Sequence, residues 1–409
     1  MKKTELEIPV SLREEHKSSP VYYITTEDSR KDRISRFPAE QVDKALRDAL
    51  ADTAEHIEDP GQCLVKVHIG EPKCATRMRP EYTVSSRAVF EEKGASGVVA
   101  GDTTVAYTGR RGHKQNPPGK CKDYLKLAHK HGWARDKAAG MDFVVLDRPE
   151  TSVADAFTFE KEHVTESLTG LNRYREIFKA GGFEAADTVI NHAHLTLHGL
   201  AGVAGCIKSI AMGCASLKGK YVMHKSMLPR FDDEKCTRCG ACVSGCPENA
   251  IELAEDRTHP PVVDQQFCIG CGECVAVCPC DAVDLHGREI SDWVLGRDTL
   301  PTRMVDYAVG LMNGKWDRTI HVLHLYGVTE KCDCVDIKQR PMIHRDMGFL
   351  VGRNPFAIDL IAARLLAREL RLDEVDIEDA VLRTAAISAE YAYENYDILP
   401  EARVEKIFL

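Results

Sequence analysis

Apolar positions along the chain switch between two spacings. Residues 64–69 crowd Leu64, Val65, Val67 and Ile69 into a short run of the kind a buried strand shows. Residues 80–93 follow with helical composition, and 97–100 form a second apolar run, giving a β-α-β pattern. The same reading predicts strands at 142–146, 187–191 and 320–325, and helices near 199–212, 355–370 and 377–393. Strands alternating with helices imply an α/β fold with a mainly parallel sheet. Residues 39–57 read as a helix that stops before the turn signal Asp59-Pro60-Gly61, which makes residues 1–60 a helical lead-in.

The alternation breaks between Pro229 and about His286, where cysteines replace the apolar periodicity. The predicted organisation is therefore a discontinuous α/β core over 61–229 and 288–409, with a domain inserted at 230–287. Inside the insert the sequence repeats at a period of 32: Cys236, Cys239, Cys242 and Cys246 recur as Cys268, Cys271, Cys274 and Cys278.

Each half reads C-x2-C-x2-C-x3-C-P, the run that holds [4Fe–4S] clusters in two-cluster bacterial ferredoxins, where the fourth cysteine ligates the other cluster. Cys236, Cys239, Cys242 and Cys278 are then expected to hold one cluster, and Cys268, Cys271, Cys274 and Cys246 the second. Two-residue gaps let successive thiolates curl round one cubane. Gly240 and Gly272 suit the turn because glycine tolerates positive φ, and Pro247 and Pro279 stop the loop from continuing as the same turn. Two alternatives stand beside this: both quartets bind zinc, or the clusters only hold the fold.

Composition narrows the setting. The chain has 409 residues and 16 cysteines; its N-terminus lacks the apolar stretch of a secretory signal, and no apolar run is long enough to span a bilayer. A cytoplasmic, reducing location follows as an expectation, with thiols used for metal ligation or reactivity rather than disulfides. Of the net charge of -9, much is local: residues 231–290 hold 12 Asp and Glu against 4 Lys and Arg. Such a surface repels nucleic acid and suits a basic patch on a redox partner protein, unless the acidic residues serve only solubility.

Outside the quartets, Cys332-Asp333-Cys334 stands out, because a C-x-C pair can chelate one metal or present two thiols to a substrate, and Lys331 favours thiolate. A second focus is His192, His194 and His198, running into Gly199, Gly202, Gly205, Cys206 and Lys208. Together with Cys206 and Cys214 the three histidines form a candidate extra metal site, since neutral imidazole is a common ligand. The glycine spacing is not that of a dinucleotide fingerprint. Lys208, in the first turns of the predicted helix, can set a cation against an anionic substrate, and Asp102 closes a strand where an α/β sheet presents its crevice. Lys208, Asp102, Cys332 and Cys334 are thus the candidate catalytic residues. Arg110-Arg111-Gly112-His113-Lys114 and Lys120-Cys121-Lys122 flank Asn116-Pro117-Pro118-Gly119 and read as a basic, flexible surface loop, with binding of a phosphate or carboxylate ligand as the alternative.

Residues spread over the core carry a family likeness: Gly70-Glu71, Arg79-Pro80-Glu81, Gly94, Asp102-Thr103, Tyr107, Gly109-Arg110, Lys208, Met212-Gly213-Cys214-Ala215-Ser216, Gly219-Lys220, His224, Cys332-Asp333-Cys334, Asp346-Met347-Gly348 and the run from Asn354 to Asp359. On these the chain resembles iron–sulfur centre proteins with a core of domain-of-unknown-function family 362. The resemblance implies a two-cluster module inserted after the Met212-Gly213-Cys214 region, and it implies no agreed reaction.

The expected function is an iron–sulfur oxidoreductase whose insert passes electrons to a small-molecule or metallocofactor substrate, or to a metal centre, in the core. A metallocofactor-assembly or sulfur-transfer protein and an electron-carrier subunit are the alternatives. A flavin would convert one-electron to two-electron chemistry between cluster and substrate, but no residue pattern marks a site for it.

Overall fold

The computed structural model describes residues 3–14, 19–27, 33–106, 109–199, 201–224, 229–246, 248–264, 267–268, 273–285, 299–372, 379 and 381–409. An eight-stranded sheet organises the core. Its strands are β1 (Val21–Thr25), β2 (Gln62–Lys66), β3 (Gly97–Asp102), β4 (Phe143–Val145), β5 (Thr188–His194), β6 (Thr319–Leu325), β7 (Gly348–Gly352) and β8 (Val404–Phe408). They lie in the order β8-β1-β7-β6-β5-β2-β3-β4. β7 alone runs against its neighbours; the other pairings are parallel. The α/β expectation with a mainly parallel sheet is met.

Helices cover both faces, which is why the central strands β5 and β6 are buried at every position. On one face α1 (Ala39–Thr53), α2 (Val84–Glu92) and α3 (Lys122–Lys130) pack over Val65, Ile190, Val322 and Phe349. On the other, α4 (Cys206–Ala211), α5 (Leu217–His224) and α6 (Leu300–Met312) pack over Leu64, Val99 and Val189. There α7 (Pro355–Glu369) and α8 (Arg383–Tyr396) cover Tyr23, Ala193, Leu323 and Leu350. α6 is buried along its whole length and opens with a capping box between Thr299 and Thr302. α7 starts at Asn354, whose side chain accepts from the amides of Phe356 and Ala357, with Pro355 at the first helical position.

Two expectations are corrected. The first sixty residues are not only a helical lead-in, because Val21–Thr25 pairs between β7 and β8 inside the core sheet. The helix expected over 199–212 begins only at Cys206: Thr196–His198 and Gly202–Ala204 form an antiparallel pair instead. The glycines are used for a tight return. Gly202 has φ +69° and a Cβ there would overlap the Thr384 side chain, while a Cβ at Gly205 would overlap the Asp359 carboxylate.

The chain order fixes where a ligand crevice lies. From β2 it proceeds outward to β3 and β4, then returns to place β5 on the other side of β2 and continues to β6. The direction reverses between β2 and β5, and the helices that follow these two strands lie on opposite faces. Open α/β sheets bind ligands at the carboxyl edge of such a switch point.

In the 229–285 segment the two ends pair as an antiparallel ribbon, Pro229–Phe231 against Val283–Leu285. A second ribbon pairs Ile251–Glu252 with Val262–Val263. The 32-residue period places one ribbon on the other, so the sequence repeat is also a backbone repeat. Asn249 and Asp281, one period apart, both adopt positive φ, at 52° and 49°. The amides of Ala250 and Ala282 donate to the sulfurs of Cys246 and Cys278, each at 3.2 Å.

Candidate functional site

The carboxyl ends of β2, β3, β5 and β6 bring their loops together at the switch point. Asp102, the last residue of β3, is buried among Lys66, His68 and Arg111. Its Oδ1 lies 3.3 Å from Lys66 Nζ, and its Oδ2 is 3.2 Å from Arg111 Nη1 and 3.4 Å from His68 Nδ1. Tyr124 OH donates to the same oxygen at 3.1 Å. Burial alone would raise this carboxyl, but Lys66, His68 and Arg111 outweigh it and hold it well below the usual range.

Arg111 is completely buried. Its Nε donates to Glu71 Oε1 at 2.9 Å and its Nη1 to His68 Nδ1 at 2.8 Å. A guanidinium can only donate, so His68 Nδ1 accepts from Arg111. The His68 ring reaches the Cys332 thiol and helps to hold it down. The Glu71 amide donates to the Asp333 carbonyl, tying the loop after β2 to the loop after β6.

His194, the last residue of β5, holds Asp333 through Nδ1 at 2.6 Å, and its Nε2 lies 2.6 Å from the Tyr326 carbonyl oxygen. Burial opposes the charged imidazole, yet Asp333 raises the His194 pKa, and His194 in turn lowers that of Asp333. The Cys74 thiol donates to the other Asp333 oxygen at 3.1 Å. These bonds fix the backbone between Cys332 and Cys334.

Cys332 is buried and Lys208 Nζ stands 3.1 Å from its sulfur. Burial pushes the thiol up, but Cys334, Lys208, His68 and His198 together hold it well below its ordinary value. The thiolates in turn raise the Lys208 ammonium despite its burial. The Cys334 amide donates to the Cys332 sulfur at 3.2 Å. His198 is pushed down to about 3, chiefly by burial and then by Lys208, so its ring is neutral. Among the described residues, His198, Cys332 and Cys334 form a set of metal-ligating atoms that all lie within 4.8 Å of one another.

The structure therefore brings Lys208, Cys332, Cys334 and His198 together, with Asp102 reaching the same loops through His68 and Arg111. It does not assemble the five-residue extra site of His192, His194, His198, Cys206 and Cys214. Strand alternation turns His192 into the core, where its Nδ1 is 2.8 Å from His324 Nε2 and its Nε2 is 2.7 Å from Ser86 Oγ. His194 is taken by Asp333. Cys206 and Cys214 lie around α4 in the apolar layers of the opposite face, and burial pushes both thiols up, that of Cys214 to about 12. The basic loop is also corrected, since its Arg111 is an interior residue.

In the 229–285 segment, Cys236, Cys239, Cys242 and Cys278 line one cavity, closed by Phe231, Pro261 and Val283. Cys246 and Cys274 share the segment's apolar cluster with Cys242 and Ile251. Cys268 is described; Cys271, Gly272 and Pro247 lie outside the described residues. Cys280 joins the cavity wall, 3.7 Å from the Cys278 sulfur. The segment meets the core where Tyr221 OH donates to Glu248 at 3.0 Å and where Val275 packs on the core cluster containing Met223. Among the described residues no helix is long and apolar enough to cross a membrane.

No curated protein matches the chain. Among solved structures it is similar to the lactate racemase apoprotein from Thermoanaerobacterium thermosaccharolyticum, at 10% identity and a TM-score of 0.37. That match covers 94% of this chain and 59% of the other, so the chain spans under two thirds of that protein's length. Residues 63–364 match the family described as "Domain of unknown function (DUF362)", and the chain belongs to that family.

Proposed function

We propose that the protein is an iron–sulfur redox protein, with two [4Fe–4S] clusters on a ferredoxin-type module at 229–285 and a substrate site at the switch point of the core sheet. The observation that carries this reading is the meeting of Cys236, Cys239, Cys242 and Cys278, the last a period away in sequence, around one cavity. The crossed pairing is what a duplicated C-x2-C-x2-C-x3-C-P run requires. When bound, the clusters supply one-electron transfer.

The chain's own residues set the direction. Cys239 is exposed, whereas Val275, beside Cys274, packs on the core. The exposed Cys239 edge suits docking by a partner protein, whose basic surface would match the acidic module, while Cys274 stands next to the residue that packs on the core. At the core, Lys208 offers positive charge to an anionic small molecule beside the Cys332 thiolate. Chemical iron and sulfide analysis of anaerobic protein tests the reading. Cys236→Ser is expected to remove about four of about eight irons. Unchanged iron in that variant, or protein without sulfide, would refute the assignment.

A second reading, sulfur transfer, is favoured by the 3.1 Å contact between Lys208 and the Cys332 sulfur, which suits a nucleophilic thiolate. Persulfide on Cys332 that disappears in Cys332→Ser, with iron unchanged, would support it.

A further inference from the structure

We infer that His198, Cys332 and Cys334 form a mononuclear site for a thiophilic divalent ion of the zinc class, with its fourth position open to a further ligand. This deepens the proposed function by naming the centre in the core. It stands on core residues alone, so it survives if the clusters are absent.

Two cysteines one residue apart and a histidine from a different loop have no packing reason to meet. They converge because β5 and β6 are parallel neighbours whose carboxyl ends lead into the 196–204 hairpin and the 326–334 loop. Each loop is pinned from behind. Asp333 is locked between the His194 ring and the Cys74 thiol, so Cys332 and Cys334 flank a fixed residue and face the same side. The Ala201 amide donates to His198 Nδ1 at 3.1 Å and orients the ring. Ligation by either nitrogen of the neutral His198 ring gives up that hydrogen bond, because the metal takes Nδ1 directly or the ring proton moves to Nδ1 when the metal takes Nε2.

The donor set defines the ion. Two thiolates and one imidazole are soft or borderline ligands, which hard Mg²⁺ and Ca²⁺ do not seek and Zn²⁺ does. Three protein ligands leave a tetrahedral ion one position short, the arrangement of catalytic rather than structural zinc. Beside the Cys332 sulfur stand the Lys208 ammonium, 3.1 Å away, and the His68 ring, whose Nδ1 accepts from Arg111. The ammonium favours a ligand that is anionic or carries an acceptor oxygen. Each metal uptake releases the protons that the thiols still hold and needs no oxidant or reductant.

The test is zinc retention by the full chain with its clusters in place. Anaerobic protein is equilibrated with zinc chloride, desalted and analysed for zinc and iron, and its zinc X-ray absorption is recorded. We expect about one zinc per chain, with two sulfur neighbours at about 2.3 Å and one imidazole. Cys332→Ser/Cys334→Ser should lose this zinc and keep its iron. His198→Gln, which leaves both thiols in place, should weaken retention at least tenfold and guards against a folding defect in the double variant. Zinc that persists in the double variant, zinc with four sulfur neighbours, or no zinc in the cluster-loaded parent protein overturns the inference. Zinc retained by a protein without iron would uphold it while refuting the cluster assignment.

Discussion

Asp359 offers a quantitative check on how the core holds α4, the short helix that presents Lys208. Its Oδ1 accepts from the Cys206 amide at 2.7 Å and its Oδ2 from the Ile207 amide at 3.0 Å. Burial, opposed only by these hydrogen bonds and one from the Cys206 thiol, pushes the carboxyl from 3.8 up to about 7. Because the folded value lies above the unfolded one, the native state binds this proton more tightly. Its contribution is complete below about pH 4 and is lost as pH rises through about 7, on the order of 4 kcal/mol in all. Between about pH 5.5 and about pH 8.5 the parent protein should lose about 2 kcal/mol from this group. Asp359→Asn cannot ionise, but its amide nitrogen cannot accept, so one backbone amide loses its partner at a cost of about 1–2 kcal/mol. Urea unfolding followed by far-ultraviolet circular dichroism at both pH values should therefore show the variant less stable at the lower pH and level with or above the parent at the higher. Parallel pH slopes in the two proteins would refute the reasoning.

Three further outcomes follow from the same geometry. Asp102→Ala removes the carboxylate between Lys66 and Arg111, which are 1% and 0% exposed, and should cost about 3–5 kcal/mol in urea unfolding; a loss below about 1 kcal/mol would mean that the cations find other partners. Lys208→Met takes away the cation beside Cys332, so the pH profile of iodoacetamide alkylation at Cys332 should move to higher pH, and an unmoved profile would show that Lys208 does not stabilise the thiolate. Tyr326→Phe strands the Arg79 amide and His324 Nδ1, which meet the hydroxyl at 2.8 and 3.0 Å, and should destabilise by about 1–3 kcal/mol; an unchanged midpoint would show that water replaces the hydroxyl.

Much of the fold was legible because buried parallel strands write themselves as apolar runs. Residues 64–69, 97–100, 142–146, 187–191 and 320–325 each fall on or beside β2 to β6. The strands Val21–Thr25, Gly348–Gly352 and Val404–Phe408 were missed, since the first and last are flanked by charged residues and the middle one is short and glycine-bounded. Local composition cannot reveal that they pair at one end of a sheet whose other strands are distant in sequence. The glycine run 199–205 looked like a helix opening, but the chain uses it to turn between two strands.

The site was legible in part. Lys208, Cys332 and Cys334 stood out through charge and C-x-C spacing, and His198 was one of three equivalent histidines. His192 and His194 belong to β5 and meet His324 and Asp333, whereas His198 lies beyond that strand, in the hairpin strand Thr196–His198, and this is what singles it out. His68 and Glu71 are not among the sequence candidates, and Arg111 enters only as part of a basic loop. The signal for His68 and Lys66 was polar residues inside an apolar strand run. Arg111 sat in a basic stretch that composition alone assigns to the surface, and only its pairing with Glu71 and Asp102 explains its burial.

The most direct test of the central claim is iron, acid-labile sulfide and zinc content of anaerobically purified protein, with electron paramagnetic resonance before and after reduction. The account predicts about eight irons with matching sulfide, and a signal from reduced [4Fe–4S] clusters that appears on reduction. Protein holding two or more zinc ions with no sulfide and no signal would contradict it, and would make residues 229–285 a zinc module.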